Sequence, residues 1–240
     1  MTRTAIIAAM PGELKPLVRH WRHQHSNGVD LWTWRFDEGE WIAACAGAGQ
    51  SAAMRAFAQV EQSGPIQVVL SVGWVGALTQ NIAPGTTHRV SGVIDSRTGE
   101  RFQAAAWQQE RWLVTSPRVA NEQEKRRFAA TYAASLVDME AAAVARVAAM
   151  RDIPFYCIKA VSDGLTDNLP DLNRFLSPAG KFLMTRFVLF ALLRPWYWPA
   201  LLRMGENSKR ASQGIAESLL DFLDERGHIR KRNGYPGFRH

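Results

Sequence analysis

Short apolar runs recur along this chain at a spacing that leaves room for little besides alternating strands and helices. Thr4 to Met10, Trp41 to Ala46, Gln67 to Val72, Trp112 to Thr115 and Phe155 to Val161 stay largely apolar for four to seven residues and then break. Runs of that length are too short for buried helices and suit strands. Between them lie longer stretches of helical pattern, Glu13 to His23, Gln50 to Gln62, Glu122 to Ala134 and Met139 to Arg151. The alternation implies βα units around a mainly parallel sheet, to which Leu31 to Phe36 and Val90 to Ile94 add further strands. The expected fold is therefore α/β: one domain over residues 1–225, with a mixed, mainly parallel central sheet flanked by helices. A chain of 240 residues can bury one full core, and no linker, repeat or low-complexity tract divides it.

The formal charge of +7 attracts anions, among them nucleic acid, phosphorylated substrates and anionic lipid headgroups. Lys and Arg are scattered rather than striped with aromatics, which disfavours nucleic acid. Cys45 and Cys157, the two cysteines, sit inside apolar strand-like runs and read as small buried hydrophobes of a reducing compartment. The expected localisation is cytoplasmic, either free or peripheral at the inner face of the membrane. The opening apolar run breaks at Met10-Pro11-Gly12, too soon for a signal peptide or a membrane span. His20, His23 and His25 invite a metal, but helical spacing would put them on different faces, so they read as surface residues and no metal is expected. The basic segment from Arg226 to His240 reads as a flexible tail, with an anionic-lipid contact as the alternative.

Two segments carry chemistry. In Leu136-Val-Asp-Met-Glu-Ala-Ala-Ala-Val144 an apolar run turns into an Ala-rich helical pattern, which places Glu140 at a helix N-terminus. In Ile153-Pro-Phe-Tyr-Cys-Ile-Lys-Ala-Val-Ser162 an interior strand delivers Asp163 at its C-terminal end, where open α/β sheets put their ligands. Carboxylates at two strand ends suggest one cleft. Read alone, Asp163 would be a turn or cap acid and Glu140 a complement to a helix dipole.

Met139-Glu-Ala-Ala-Ala143 followed by Ser162-Asp163 resembles the purine nucleoside phosphorylase and methylthioadenosine/S-adenosylhomocysteine nucleosidase superfamily. Ala5-Ile-Ile-Ala-Ala-Met10 with Glu13-Leu14, Cys45-Ala-Gly-Ala-Gly49 and Ser71-Val-Gly-Trp-Val-Gly-Ala-Leu78 fall in the expected order, so the resemblance spans residues 5 to about 168. It implies cleavage of a purine N-glycosidic bond without a metal or other cofactor, inorganic phosphate being the possible co-substrate. Asp163 would protonate the departing base, and Glu13 would position an attacking water. Glu140 would grip the ribose hydroxyls, Met139 would pack on the sugar face with Val137 close by, and Gly73 and Trp74 would border the nucleoside. Trp74 stands where the family often has Ser or Thr, which implies a reshaped pocket. Val119 and Asn121 are candidates for the base pocket. For phosphate, Gly12 in the Pro11-Gly12 turn and Ser71 are the candidates, with Arg174 or Arg89 as ligands from elsewhere; the residues leave phosphate and water both open.

After Asp163 the chain carries an apolar insert at about 182–204, from Phe182 through Leu193 and Arg194-Pro-Trp-Tyr-Trp-Pro to Met204, before a helical pattern from Ser208 to Glu225. It is too short and too interrupted by Arg and Pro to span a bilayer, yet too aromatic for a solvated helix. It could form an interface in a homo-oligomer, a packing lid, or the lining of a site for a hydrophobic substrate that also touches a membrane surface. A basic, aromatic segment in this place is similar to the hopanoid-associated phosphorylase branch, which implies a lipid-linked nucleoside such as adenosylhopane. An ordinary methylthioadenosine/S-adenosylhomocysteine nucleosidase is the alternative, and a catalytically silent nucleoside-binding protein a third.

Overall fold

The computed structural model describes residues 2–36, 39–105, 111–167 and 169–225. The elements follow one another as β1 (Thr2–Ala8), α1 (Pro11–Val18), β2 (Arg22–Ser26), β3 (Val29–Phe36), β4 (Gly39–Cys45), α2 (Gln50–Glu61) and β5 (Val68–Ala77). Then come β6 (Thr87–Arg89), β7 (Gly92–Asp95), β8 (Arg101–Gln103), β9 (Trp112–Thr115), α3 (Glu122–Tyr132), β10 (Leu136–Asp138), α4 (Ala141–Met150), β11 (Phe155–Asp163), α5 (Met184–Leu192) and α6 (Trp198–Glu225). The strands form one mixed sheet, in the order β2-β3-β4-β1-β5-β10-β9-β7-β8, with β11 lying on β5 and β6. Its centre is parallel, as βα units require, and its antiparallel pairs come from the β2-β3-β4 meander, the β7-β8 hairpin, short β6 and the β5-β10 contact.

Strand β5 is the branch point. Val68 to Ser71 pair with Thr4 to Ile7 of β1, while Val69 to Val75 pair with Phe155 to Val161 of β11. Past Gly73, whose φ is +144°, Gly76 and Ala77 pair with Val137 and Leu136 of β10, and Gly76 also stays opposite Asp163 of β11. The register of β11 slips between Val161 and Asp163, a bulge of the kind that re-aims a side chain at a strand end. As a result the ends of β1, β10 and β11 and the bend of β5 converge.

Alanines of α2 (Ala52, Ala53, Ala56) and α4 (Ala141, Ala142, Ala145, Ala148) are fully buried on one face of the sheet. On the other face α1 and α6 bury Leu14, Leu17, Ala211, Ile215, Ala216, Leu219 and Phe222. Burying Ile215, Leu219 and Phe222 stabilises by roughly 1.5–3 kcal/mol each, so the second half of α6 is part of the domain.

Three expectations are corrected. The helix expected from Glu13 to His23 stops at Val18, and residues 22–26 run as β2, joined to β3 by Asn27-Gly28 with both residues at positive φ (53° and 74°). That is the two-residue hairpin turn that Asn-Gly favours. His23 and His25 therefore share a strand face, and both ring nitrogens reach Asp30 Oδ1, at 3.0 and 2.9 Å. The last helix begins at Trp198 rather than Ser208. Residues 226–240, including the expected tail, lie outside the described residues.

Candidate active site

The converging strand ends enclose a cavity of about 270 Å³. Its walls include Glu13, Trp74, Gly76, Val119, Lys125, Val137, Met139, Glu140, Ser162 and Asp163, and Leu172, Leu176, Phe182, Met184, Phe187 and Met204 cover it. Of the residues expected from sequence, Asp163, Glu13, Glu140, Met139, Val137, Trp74 and Val119 thus meet in one place.

Glu13 is buried, and its carboxylate ties two turns together. Oε2 accepts the amides of Ala9 and Met10 at 2.8 and 2.9 Å, and Oε1 accepts that of Trp74 at 2.8 Å. Gly73 makes this possible by lacking a side chain, because a Cβ there would lie 2.7 Å from Glu13 Oε1. Burial raises the Glu13 carboxyl, while the three amides and the charge of Lys159 pull it down.

Glu140 occupies the N-cap position of α4 but does not cap it. The capping acceptor is Asp138 Oδ2, which takes the Ala141 amide at 2.9 Å. Glu140 turns into the cavity, with Oε1 accepting the Gly49 amide at 2.6 Å and Oε2 lying 3.2 Å from the Met139 amide. Burial first, and then the charge of Asp138, push its carboxyl up to about 8, against the pull of Lys159. Lys159 is 1% exposed and pairs with Asp138 at 2.9 Å; its ammonium is raised despite burial because carboxylates surround it.

At the end of β11 the Asp163 carboxylate is held from two sides. Ser162 Oγ donates to Oδ1 at 2.6 Å, and Lys125 Nζ donates to Oδ2 at 2.5 Å. The base-pocket candidates separate. Val119 is fixed in the wall by reciprocal bonds with Asn173, at 2.8 and 2.9 Å, whereas the Asn121 side chain is spent capping α3.

The phosphate candidates do not form a site. Ser71 is 1% exposed inside the sheet and does not line the cavity. Gly12 is covered by the Trp74 ring, which stands 3.0 Å from where its Cβ would be, and the indole N–H donates to Ser212 Oγ on α6 at 3.1 Å. Arg89 pairs with Glu225 at 2.9 Å, and neither it nor Arg174 reaches the cavity. Two participants were missed from sequence, Lys125 and Lys159. A lone charge in an apolar interior strand was a usable signal for Lys159, since burial demands a partner.

The amino-acid sequence matches the family described as the phosphorylase superfamily over residues 3–121 and 98–179. No curated protein matches it. Among solved structures, the fold is similar to apo 5′-methylthioadenosine nucleosidase of Arabidopsis thaliana, with a TM-score of 0.72 at 17% identity over 93% of this chain and 96% of that one. A 5′-methylthioadenosine/S-adenosylhomocysteine nucleosidase of Helicobacter pylori gives 0.71 at 14% identity, covering 93% and 98% of the two chains. Futalosine hydrolase of the same organism gives 0.70 at 14%, also over 93% and 98%. At such identities the likeness is one of fold.

Proposed function

The chain belongs to the phosphorylase superfamily, and from that premise we propose that it is an enzyme that hydrolyses the N-glycosidic bond of a purine nucleoside, with adenine as the departing base. The observation that carries this reading is one cavity in which Glu140 and Met139 face the Asp163 end of β11, with Glu13 in the same wall. The carboxyl of Glu140 binds the ribose 2′ and 3′ hydroxyls, and that grip strengthens as the sugar gains positive charge. The bond between C1′ and N9 breaks with its electron pair going to the purine, which takes up a proton. Water adds to C1′ and gives its proton to Glu13, whose raised carboxyl makes it a better base. Water rather than phosphate fits a site whose Pro11-Gly12 turn lies under the Trp74 ring.

The 5′ substituent is hydrophobic in this reading, because Leu172, Leu176, Phe182, Met184, Phe187 and Met204 cover the cavity. Ligand pockets usually run from about 300 Å³ upward. A space of about 270 Å³ suits the nucleoside but not a polycyclic lipid as well. A group as large as that of adenosylhopane would have to project past the cover onto the outer face of α5. Leu189 and Leu192 of that helix, and Leu193, Trp196 and Leu202 after it, are each 58% exposed or more. We assign that face to an anionic lipid surface. A small substituent, as in methylthioadenosine, is the second reading and needs no such face.

The test is product analysis with 5′-methylthioadenosine, with and without inorganic phosphate. Adenine and free sugar are expected in both. A sugar 1-phosphate would make the enzyme a phosphorylase, and absence of cleavage across adenosine derivatives would leave only nucleoside binding.

A further inference from the structure

Lys125 is the feature of the site that the mechanism above does not use. It lies in the charged first half of α3, yet it is 6% exposed, because Lys125 and Phe128 form the buried edge of that helix. Its ammonium has three N–H bonds. Two are spent on Asp163 Oδ2 and on the Gly164 carbonyl, at 2.5 and 2.6 Å. The third has no protein acceptor among the described residues, and Lys125 lines the cavity. The other oxygen of Asp163 lies 2.6 Å from the Ser162 hydroxyl, whose alternative acceptor, the Val75 carbonyl, is farther away at 3.3 Å. A carboxylate supplied with an ammonium on one side and a hydroxyl on the other is arranged to accept hydrogen bonds, not to donate one. Gly76 leaves space for the pair, since a Cβ there would lie 2.9 Å from Lys125 Cε and 3.1 Å from Asp163 Oδ2.

We infer that Lys125, rather than Asp163, delivers the proton to N7 of the departing base, while Asp163 holds the ammonium in place and accepts from the base's exocyclic amine. Together the two side chains offer one donor and one acceptor, the complement of the N7 and amine edge of adenine. The proton leaves Nζ for N7 as the bond to C1′ breaks and its electron pair enters the purine ring. Lys125 is left as a neutral amine bonded to Asp163 and is reprotonated from solvent after the products leave. This inference rests on the glycosidic-cleavage reading.

The experiment compares an adenine nucleoside, whose base needs a proton to leave, with p-nitrophenyl β-D-ribofuranoside, whose leaving group needs none. Lys125→Met should lower kcat on adenosine by roughly 10²- to 10⁴-fold, the usual scale of general acid catalysis, and change cleavage of the nitrophenyl riboside only a few-fold. Lys125→Arg keeps the ion pair with a group that does not give up its proton, so it should fold normally and still be slow on adenosine. Equal damage to both substrates would make Lys125 structural. Near-wild-type adenosine cleavage by Lys125→Met, with Asp163→Asn inactive, would return the proton to Asp163. Either result overturns the inference while sparing the cleavage reading; wild-type protein inert on both substrates overturns both.

Discussion

Glu140 shows how one residue can stand at a helix start without serving the helix. Because Asp138 supplies the cap, the Glu140 carboxyl is free to face the cavity, at the cost of being pushed up to about 8 by burial. Glu140→Gln should therefore lower kcat/KM on adenosine roughly 10-fold more than on 2′-deoxyadenosine, the scale of a hydrogen bond to a sugar hydroxyl. Equal losses on both substrates would mean that the residue only supports the Gly49 turn. The same carboxyl links folding to pH. It titrates near 4.5 when unfolded, so between those values the folded state binds more protons, and stability must fall as pH rises through that window. In the Gln variant that decline should flatten, which urea midpoints at about pH 5 and about pH 8.5 would read; an unchanged slope would place the titration elsewhere.

At the scale of elements, the cover over the cavity divides into an inner and an outer surface. Phe187 of α5 and Phe182 before it line the cavity, and both rings pack on Phe175 at 5.3 and 6.4 Å. Trp196 and Trp198 do not line it, so of the apolar insert at about 182–204 Phe182, Met184, Phe187 and Met204 face the cavity and these two tryptophans do not. Phe187→Ser should raise KM for a 5′-alkylated adenosine by on the order of tenfold and leave plain adenosine nearly unchanged, since part of an aromatic wall at about 25 cal/mol per Å² is lost. Replacing both tryptophans with Ser should alter neither, and steady-state kinetics on the two substrates would expose the reverse pattern. Elements with an apolar period of their own were legible in the sequence, and the strand at Trp112–Thr115 falls where expected. What escaped was set by partners outside the segment itself. β2 is polar on both faces and exists through its turn and β3, although Asn27-Gly28 did announce a hairpin. Lys125, in a run of Glu, Gln, Lys and Arg, looks like any solvated helix residue until Asp163 is brought beside it.

At the scale of the whole molecule, charge decides what the exposed apolar face can meet. Residues 172–205 contain Arg174, Lys181, Arg186, Arg194 and Arg203 but no Asp or Glu. A twofold contact would set this patch against its own copy, cation facing cation without a carboxylate, whereas an anionic bilayer complements it. No helix of the described residues is long and apolar enough to cross a membrane, so contact would be interfacial. The full chain should sediment with phosphatidylglycerol vesicles but not with phosphatidylcholine vesicles. Arg186→Gln with Arg203→Gln should weaken that binding roughly 30-fold, at about 1 kcal/mol per basic residue. Indifference to both vesicles, with a concentration-dependent dimer mass, would identify the face as a subunit interface. The branching of β5 carries a different consequence, one for synthesis. Lys159 and its neighbour Val72 are 87 positions apart, so a growing chain makes the sheet's central strand long before the strand that closes it. Until β11 emerges, a run of Val and Leu waits with one hydrogen-bonding edge open, the kind of edge that recruits wrong partners. The segment that completes the catalytic wall is thus also the one whose arrival ends the molecule's exposure to misassembly.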